Sequence, residues 1–418
     1  MTTMSAQQAG AVRIVARSFA APHGELPVLT SQRRAAWERD GFFIVPGFEG
    51  AAGCRAMHAG AVELARKAGG AGMAGSAIVQ PETKATPDLR EPEDGVSKIF
   101  KLHRDQPAFR SFIQDERVLD LAAGLIGPSL DCFLSQFIFK NPGALGQPWH
   151  QDAFYFRFDR APQLGLWLAV TEATPENGCL RVLPGSHREP VHVHETDRRP
   201  GANLGYLEIV DHDMSASIPV EMQTGDLLVF HSHLMHCSTD NESSKLRAAM
   251  VYHFADAGTV DLDEKPVAIN DWMPVRRRVD TRIEIAAPRE RVLEALVDGV
   301  RYPDWNPYLV KIEGAIEPGG QILARSRNAD GRELEVPVEV LTIDADGMRW
   351  QGGLPDRAEF KGDHFFALEV LAPARTRLHH YEIFTGTLVG DIIVPREAEI
   401  RENFERMNAG LRAFCEDR

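Results

Sequence analysis

Trp149-His150-Gln151-Asp152 sits mid-chain, and its reading decides what the surrounding strands must build. In an extended segment residues i and i+2 point to the same side, so His150 and Asp152 can reach one ion while Gln151 points away. Two imidazoles and one carboxylate are the ligand set of the facial triad that holds non-haem Fe(II) and leaves coordination positions open. The missing ligand must come from a distant strand, because three consecutive side chains cannot fill one octahedral face without severe backbone strain. Gly225-Asp226-Leu227-Leu228-Val229-Phe230-His231 reads as a turn and a buried strand, followed by Leu234-Met235-His236-Cys237-Ser238. His236 is the preferred third ligand, with His231 and His233 as rivals that spacing does not exclude.

Arg247 makes a second, independent point. It lies in the apolar run Leu246 to Phe254, where a guanidinium is costly unless an anion meets it. Its planar donor fork suits a carboxylate. An arginine at a strand end, reaching solvent or paired with a protein carboxylate, is the plainer alternative, and it loses weight once the histidines and Asp152 are considered together.

Around these residues the pattern is one of short strands and turns. Thr30 is a plausible cap for a helix through Trp37, with Asp40 to Gly47 as a strand and Ala51 to Lys67 as a helix. Gly69 to Gly75 lacks the lysine and strand context of a phosphate loop and reads as mobile backbone. Helical segments from Pro107 to Phe112 and Glu116 to Leu125 precede strands near Asp131 to Lys140, Leu164 to Val170, Cys179 to Leu183, Ile218 to Met222, Asp226 to His231 and Leu246 to Phe254. Pro-Glu-Asn-Gly and Thr-Gly-Asp turns between them fit a jelly-roll barrel. Residues 190–217 form a long insertion carrying His192, His194 and His212. It reads as a substrate lid, because loops at a barrel mouth are where selection is normally placed.

Taken in order, Trp149 to Asp152, then Pro175 to His187, then Gly225-Asp226 through His236-Cys237-Ser238 and Arg247 closely resemble the phytanoyl-CoA dioxygenase family, over about Leu29 to Val275. The resemblance implies a double-stranded β-helix with flanking helices, and an oxygenase using Fe(II), 2-oxoglutarate and O2. It assigns iron to His150, Asp152 and His236, which resolves the rivalry. It assigns the distal carboxylate of 2-oxoglutarate to Arg247 assisted by Ser238, places Lys98 against the cosubstrate and Trp167 beside it, and brings the backbone near Phe137 into contact with it. Cys237 departs from the family, which usually has glycine there, and sets an oxidisable thiol near the metal. Retention of Asp152 argues against the related halogenases, in which the carboxylate ligand is lost.

Composition frames the rest. The 418 residues suffice for two ordinary domains, and 44% hydrophobic with 25% charged residues is globular. A net charge of −14 argues against a nucleic-acid partner, which usually needs a basic face. The five cysteines are scattered without a CxxC, so neither a disulfide framework nor a zinc site is indicated and a reducing cytoplasm fits. Residues 1–28 carry Arg13 and Arg17 with no apolar h-region and read as a flexible leader. No run is long enough to span a membrane.

The composition shifts at Trp272-Met273-Pro274-Val275-Arg276-Arg277-Arg278. Beyond it come a strand from Val279 to Ile285, a helix from Pro288 to Val297, alternating strands, and a last helix from Pro395 to Glu416 with Ile400, Phe404, Met407, Leu411 and Phe414 as one apolar stripe. Ala287 to Val292, Tyr302-Pro303-Asp304-Trp305-Asn306-Pro307 and Phe404 to Leu411 resemble the START-like helix-grip superfamily, an α+β fold that includes polyketide cyclases and lipid-binding proteins. The resemblance covers residues 279–418 and implies a curved sheet around the long helix, often enclosing an apolar cavity. His364, His379, His380, Glu382 and Asp391 are polar candidates for its lining, equally explained by a solvent-facing strand.

The expectation is therefore an oxygenase over 29–275 joined to a helix-grip domain over 279–418, hydroxylating an unactivated C–H of a small, apolar, lipid-like or polyketide-like metabolite. A bifunctional oxygenase and cyclase, or a ligand carrier with a vestigial oxygenase, are the alternatives. Substrate identity and oligomeric state are not legible.

Overall fold

In a computed structural model the chain is described over residues 28–84, 90–203, 205–263, 268–328 and 331–417. The expected leader lies outside the described residues, apart from Val28. Helix Ser31–Asp40 starts where Thr30 accepts a hydrogen bond from the Arg33 amide at 3.2 Å and stops at Gly41, whose φ of 83° is readily adopted by glycine alone. Strand Phe42–Val45 follows and pairs antiparallel with Leu227–His231.

From that edge the main sheet runs through Leu164–Ala169 and Arg247–Asp256 to Leu130–Lys140, every pair antiparallel. A smaller sheet of Ile218–Val220, Leu180–Val182 and His236–Ser238 faces it. Strand Arg247–Asp256 is buried on both faces, so hydrophobic alternation is hidden in its sequence. Ala248, Met250, Tyr252 and Phe254 pack toward the helices Ala51–Lys67, Pro107–Gln114 and Glu116–Ile126. Ala249 and Val251 pack between the sheets with Trp167, Val182 and Phe230. By the two-residue period of a strand, Arg247 and His253 share that inner face. This sandwich is the expected jelly-roll core.

Two expectations for loops need correction. Gly69 to Gly75 is no free loop, since Gly72–Ala74 pairs with Ala77–Pro81, which pairs in turn with Val96–Phe100. The 190–217 insertion is not wholly irregular, because His194–Thr196 and Leu207–Ile209 form a two-stranded ribbon.

The strand expected from Val279 begins earlier, at Met273, and runs to Ile285. Its first residues pair with Leu130–Cys132 and the rest with Arg375–Thr385, so one sheet continues from the jelly roll into Lys361–Ala372, Gly347–Gly353, Glu333–Asp344, Gln321–Arg327 and Leu309–Glu313. The three arginines lie on this strand: Arg277 meets Asp131 at 2.7 Å, Arg276 meets Asp120 at 2.8 Å, and the Arg278 amide donates to Ser129 Oγ at 3.0 Å. Helix Glu397–Glu416 lays Phe404, Met407 and Leu411 on the C-terminal sheet, while Phe414, expected on the same stripe, is only half-buried. Among the described residues no helix is long and apolar enough to cross a membrane.

Candidate active site

His150 and His236 are brought together by backbone pairing. Each amide donates to the other's carbonyl, at 2.9 and 3.0 Å, the hydrogen-bonded pair of an antiparallel ladder, so both side chains leave the same face. Their rings lie 4.2 Å apart. Gln151 continues the extended backbone (φ −116°, ψ 129°), and Asp152 opens a single helical turn, Asp152–Tyr155. Its Oδ1 stands 3.6 Å from His150 Nε2 and 3.8 Å from His236 Nε2. The ligand atoms of these three residues all lie within 4.8 Å of one another.

The ring nitrogens are oriented for this. His150 Nδ1 donates to Pro148 O at 2.8 Å and His236 Nδ1 to Leu234 O at 2.9 Å, leaving both Nε2 atoms as acceptors toward Asp152, with the Gln147 side-chain amide 3.0 Å from His150 Nε2. Burial pushes His236 down to about 4, which keeps the imidazole neutral as a metal ligand must be. Burial opposes the charge of Asp152, yet His253, His236 and His150 outweigh it and hold the carboxyl well below the usual carboxylate range. Two imidazoles and one carboxylate, buried with one carboxylate oxygen facing both rings, fit a six-coordinate ferrous ion held on one face.

The rivals stand elsewhere. His231 packs against Trp37 with ring centres 5.4 Å apart and the planes tilted by 41°, and its Nδ1 accepts from the His233 amide at 2.9 Å. Sequence reading missed His253, whose Nε2 lies 2.9 Å from Asp152 Oδ2. The available signal was parity, since His253 and Arg247 are the polar residues on one face of a strand that is otherwise apolar between them.

The three residues open into a cavity of about 290 Å³ that also contains Lys98, Trp167, Ser238 and Arg247 in its wall, so these seven sequence-derived residues line one space and Phe137 does not. Arg247 is 1% exposed, its guanidinium sits 5.5 Å from the Trp167 ring centre, and among the described residues its Nε and Nη1 have no hydrogen-bond partner. Directly opposite it in the strand pairing stands Lys140, also buried and also missed by sequence reading. Lys140 Nζ donates to Ser238 Oγ at 2.7 Å and to Thr239 O at 2.5 Å. Burial lowers both cations, Arg247 to about 10 and Lys140 well below the usual lysine range, with Arg247 adding to the latter. Like charges directly opposite on neighbouring strands are destabilising, and an anion beside Arg247 would relieve that repulsion.

Lys98 Nζ donates to Gln147 Oε1 at 3.0 Å and lies 4.9 Å from the Tyr206 ring centre. Cys237 lines the cavity too, and burial pushes its thiol up to about 12, so it is no thiolate. The Phe137 ring turns away into the core beside Phe109 and Phe139.

A family model described as phytanoyl-CoA dioxygenase matches residues 37–249. The peroxisomal phytanoyl-CoA dioxygenase of Bos taurus is 28% identical over 243 residues, covering 56% of this chain and 71% of that protein. Phytanoyl-CoA dioxygenase 1 of Oryza sativa subsp. japonica is 29% identical over 262 residues, covering 54% and 89%. A Rattus norvegicus phytanoyl-CoA dioxygenase domain-containing protein 1 is 36% identical over 183 residues, covering 41% and 62%. Among solved structures, EctD from S. alaskensis with bound Fe matches at 21% identity and a TM-score of 0.46, covering 59% of this chain and 86% of its own.

Proposed function

Since the chain belongs to the phytanoyl-CoA dioxygenase family and is an Fe(II)- and 2-oxoglutarate-dependent dioxygenase, we propose that it hydroxylates an unactivated C–H bond of a small apolar metabolite, lipid-like or polyketide-like. In this reading His150, Asp152 and His236 hold the iron, and Arg247 with Ser238 receives the distal carboxylate of 2-oxoglutarate. Lys98 and Trp167 shape the cosubstrate's flank. Bound iron and 2-oxoglutarate supply the activation of O2, coupled to decarboxylation of the keto acid to succinate.

The observation that carries the reading is Arg247, buried, with Nε and Nη1 lacking a partner among the described residues, and facing Lys140 across the strand pair. A dicarboxylate bound in this cavity has a second carboxylate to place, and Arg247 is the buried guanidinium in the same wall that would receive it. Phe100, Leu134, Phe156 and Ile269 form an apolar part of the cavity wall beside Gln80, Gln136 and Gln147, which supports an apolar substrate. Gly205 and Tyr206 from the 190–217 insertion also reach the wall, in keeping with a lid.

We further read residues 29–275 as the oxygenase domain and 279–418 as a START-like helix-grip domain that binds an apolar ligand and presents it. Supporting this are the order strand, helix, six strands and long helix, and the wrapping of that sheet around Glu397–Glu416. Anaerobic addition of Fe(II) and 2-oxoglutarate is expected to give the visible charge-transfer band of a chelated keto acid, absent in Arg247→Ala at the same cosubstrate concentration. A substrate screen read by succinate release then identifies the class. Full succinate release on strongly polar substrates alone would overturn the apolar assignment.

A further inference from the structure

Glu189, His192 and His212 put a second set of ligand atoms together outside the cavity. Glu189 Oε2 lies 3.0 Å from His192 Nε2 and 3.0 Å from His212 Nε2, and the three ligand atoms lie within 4.8 Å of one another. The two rings meet edge to face at 5.1 Å. Their side chains are about one-fifth exposed, so an ion can reach them from solvent.

The ring orientations converge both Nε2 atoms on one carboxylate oxygen. His212 Nδ1 stands 3.1 Å from the carbonyl oxygen of Asp213, and a carbonyl only accepts, so that nitrogen carries the proton. Its Nε2 is thereby turned to the Glu189 carboxylate, the position that either a second proton or a metal ion would fill. A cation between the three atoms satisfies all of them. Ligand atoms in a tetrahedral zinc site with bonds near 2.0–2.1 Å are about 3.3 Å apart, within a few tenths of an ångström of the separations from Glu189.

We propose that Glu189, His192 and His212 form a zinc site with water completing the coordination, and that it clamps the 190–217 insertion at both ends. Glu189 and His192 stand at the entry of that segment and His212 near its exit. The clamp bears on the active site through Gln151, between His150 and Asp152. The His192 amide donates to Gln151 Oε1 at 2.8 Å, Gln151 Nε2 donates to Pro190 O at 3.1 Å, and the Gln151 amide donates to His194 Nε2 at 3.0 Å. A fixed insertion base thus fixes the segment that presents His150 and Asp152. The inference stands on these residues alone and does not need the iron assignment.

The test is a calorimetric titration of Zn2+ into the metal-stripped full-length chain. Wild type is expected to take up one more equivalent than His192→Gln/His212→Gln, and Glu189→Gln is expected to bind that equivalent at least ten-fold more weakly while keeping both imidazoles. The His236→Ala chain separates this site from the cavity, because it should retain the extra equivalent. With Co2+ in place of zinc, intense visible bands of a four-coordinate ion should appear in wild type and vanish in the double variant. Equal uptake and equal affinity in wild type and both variants would overturn the site and leave the cluster as hydrogen bonds only.

Discussion

His253 Nε2 lies 2.9 Å from Asp152 Oδ2, so one carboxylate oxygen is taken and only Oδ1 faces the imidazoles of His150 and His236. The carboxylate is thereby set to offer a single oxygen, and its rotation is fixed from the strand that also carries Arg247. Groups that orient metal ligands typically contribute about 10- to 100-fold in metal affinity. His253→Ala is expected to weaken Fe(II) binding by about that factor, measured by titration of the apo chain, and His253→Gln to recover part of it through its amide donor. Unchanged iron affinity in His253→Ala would reduce the contact to packing.

Arg247→Ala should raise the 2-oxoglutarate concentration needed for half-maximal succinate release by roughly 10- to 100-fold, the loss of charge-assisted hydrogen bonds of about 1.5–3 kcal/mol. Fe(II) affinity should stay within a few-fold, because no metal ligand is touched. Lys98→Ala should act in the same direction and more mildly, since Gln147 already occupies its ammonium. A selective loss of iron in Arg247→Ala would contradict the assignment.

His150→Ala, Asp152→Ala and His236→Ala should each abolish Fe(II)-dependent 2-oxoglutarate turnover, whereas His231→Ala and His233→Ala should keep iron. His231→Ala should instead lower the melting temperature, because it removes the ring that packs against Trp37. Metal content by elemental analysis and a thermal melt separate the two kinds of loss.

The residues of the site were legible because their chemistry is rare in such settings: an arginine in an apolar strand and a carboxylate two residues after a histidine. His253 and Lys140 were not, since a histidine or lysine in a doubly buried strand looks like any other interruption until the face it occupies is known. The pairing of His150 with His236 depends on strands far apart in the chain, which no local pattern specifies. In the C-terminal half the helix stripe read correctly at Ile400, Phe404, Met407 and Leu411, while the strand start at Met273 was hidden by Arg276-Arg277-Arg278, which resembles a solvated linker but pairs with carboxylates and backbone groups of the jelly roll.

His379, read as a possible cavity residue, turns to the other face of its strand and meets Asp280 at 2.7 Å, and Asp391 is exposed. His380, His364 and Glu382 point inward in a chain whose polarity can be read from its far end. His380 Nδ1 donates to Asn408 Oδ1 at 2.7 Å, so its Nε2 accepts from His364 Nε2 at 2.5 Å, and His364 Nδ1 is left as an acceptor 3.5 Å from Glu382 Oε2. A protonated Glu382 completes that order, and burial, with Asp363 nearby, pushes its carboxyl up to about 8. A carboxyl raised on folding stabilises the native state fully below its unfolded pKa, and the contribution is lost as pH rises through the folded value. The melting temperature of wild type should therefore fall between about pH 4.5 and 8 by a component that Glu382→Gln removes. Parallel profiles for the two chains would show that Glu382 ionises alike in the folded and unfolded states.

Arg277 and Asp131 tie the two halves, and their separation gives the sharpest test of the junction. Asp131 is raised above the usual carboxylate range by burial, with Arg277 at 2.7 Å pulling it back. Removing the guanidinium leaves the carboxylate buried without its partner, a loss of about 3–5 kcal/mol for such pairs, so Arg277→Ala should be strongly destabilising near neutral pH. The sign of its pH dependence follows: Asp131 without Arg277 rises further, the folded state prefers the protonated acid, and stability relative to wild type should recover as pH falls through that raised pKa. The same reasoning applies to dividing the chain. A fragment ending at Val275 lacks Arg277, whereas one ending at Arg278 keeps both the ion pair and the Arg276 contact to Asp120. The longer fragment should melt higher at pH 7, with the gap closing at acidic pH, and both should bind Fe(II) and 2-oxoglutarate if the jelly roll folds alone. If the fragment ending at Arg278 also hydroxylates the true substrate as fast as the full chain, presentation of substrate by the C-terminal half must be given up. Equal melting of the two fragments across pH would show that Arg277 contributes nothing at the junction.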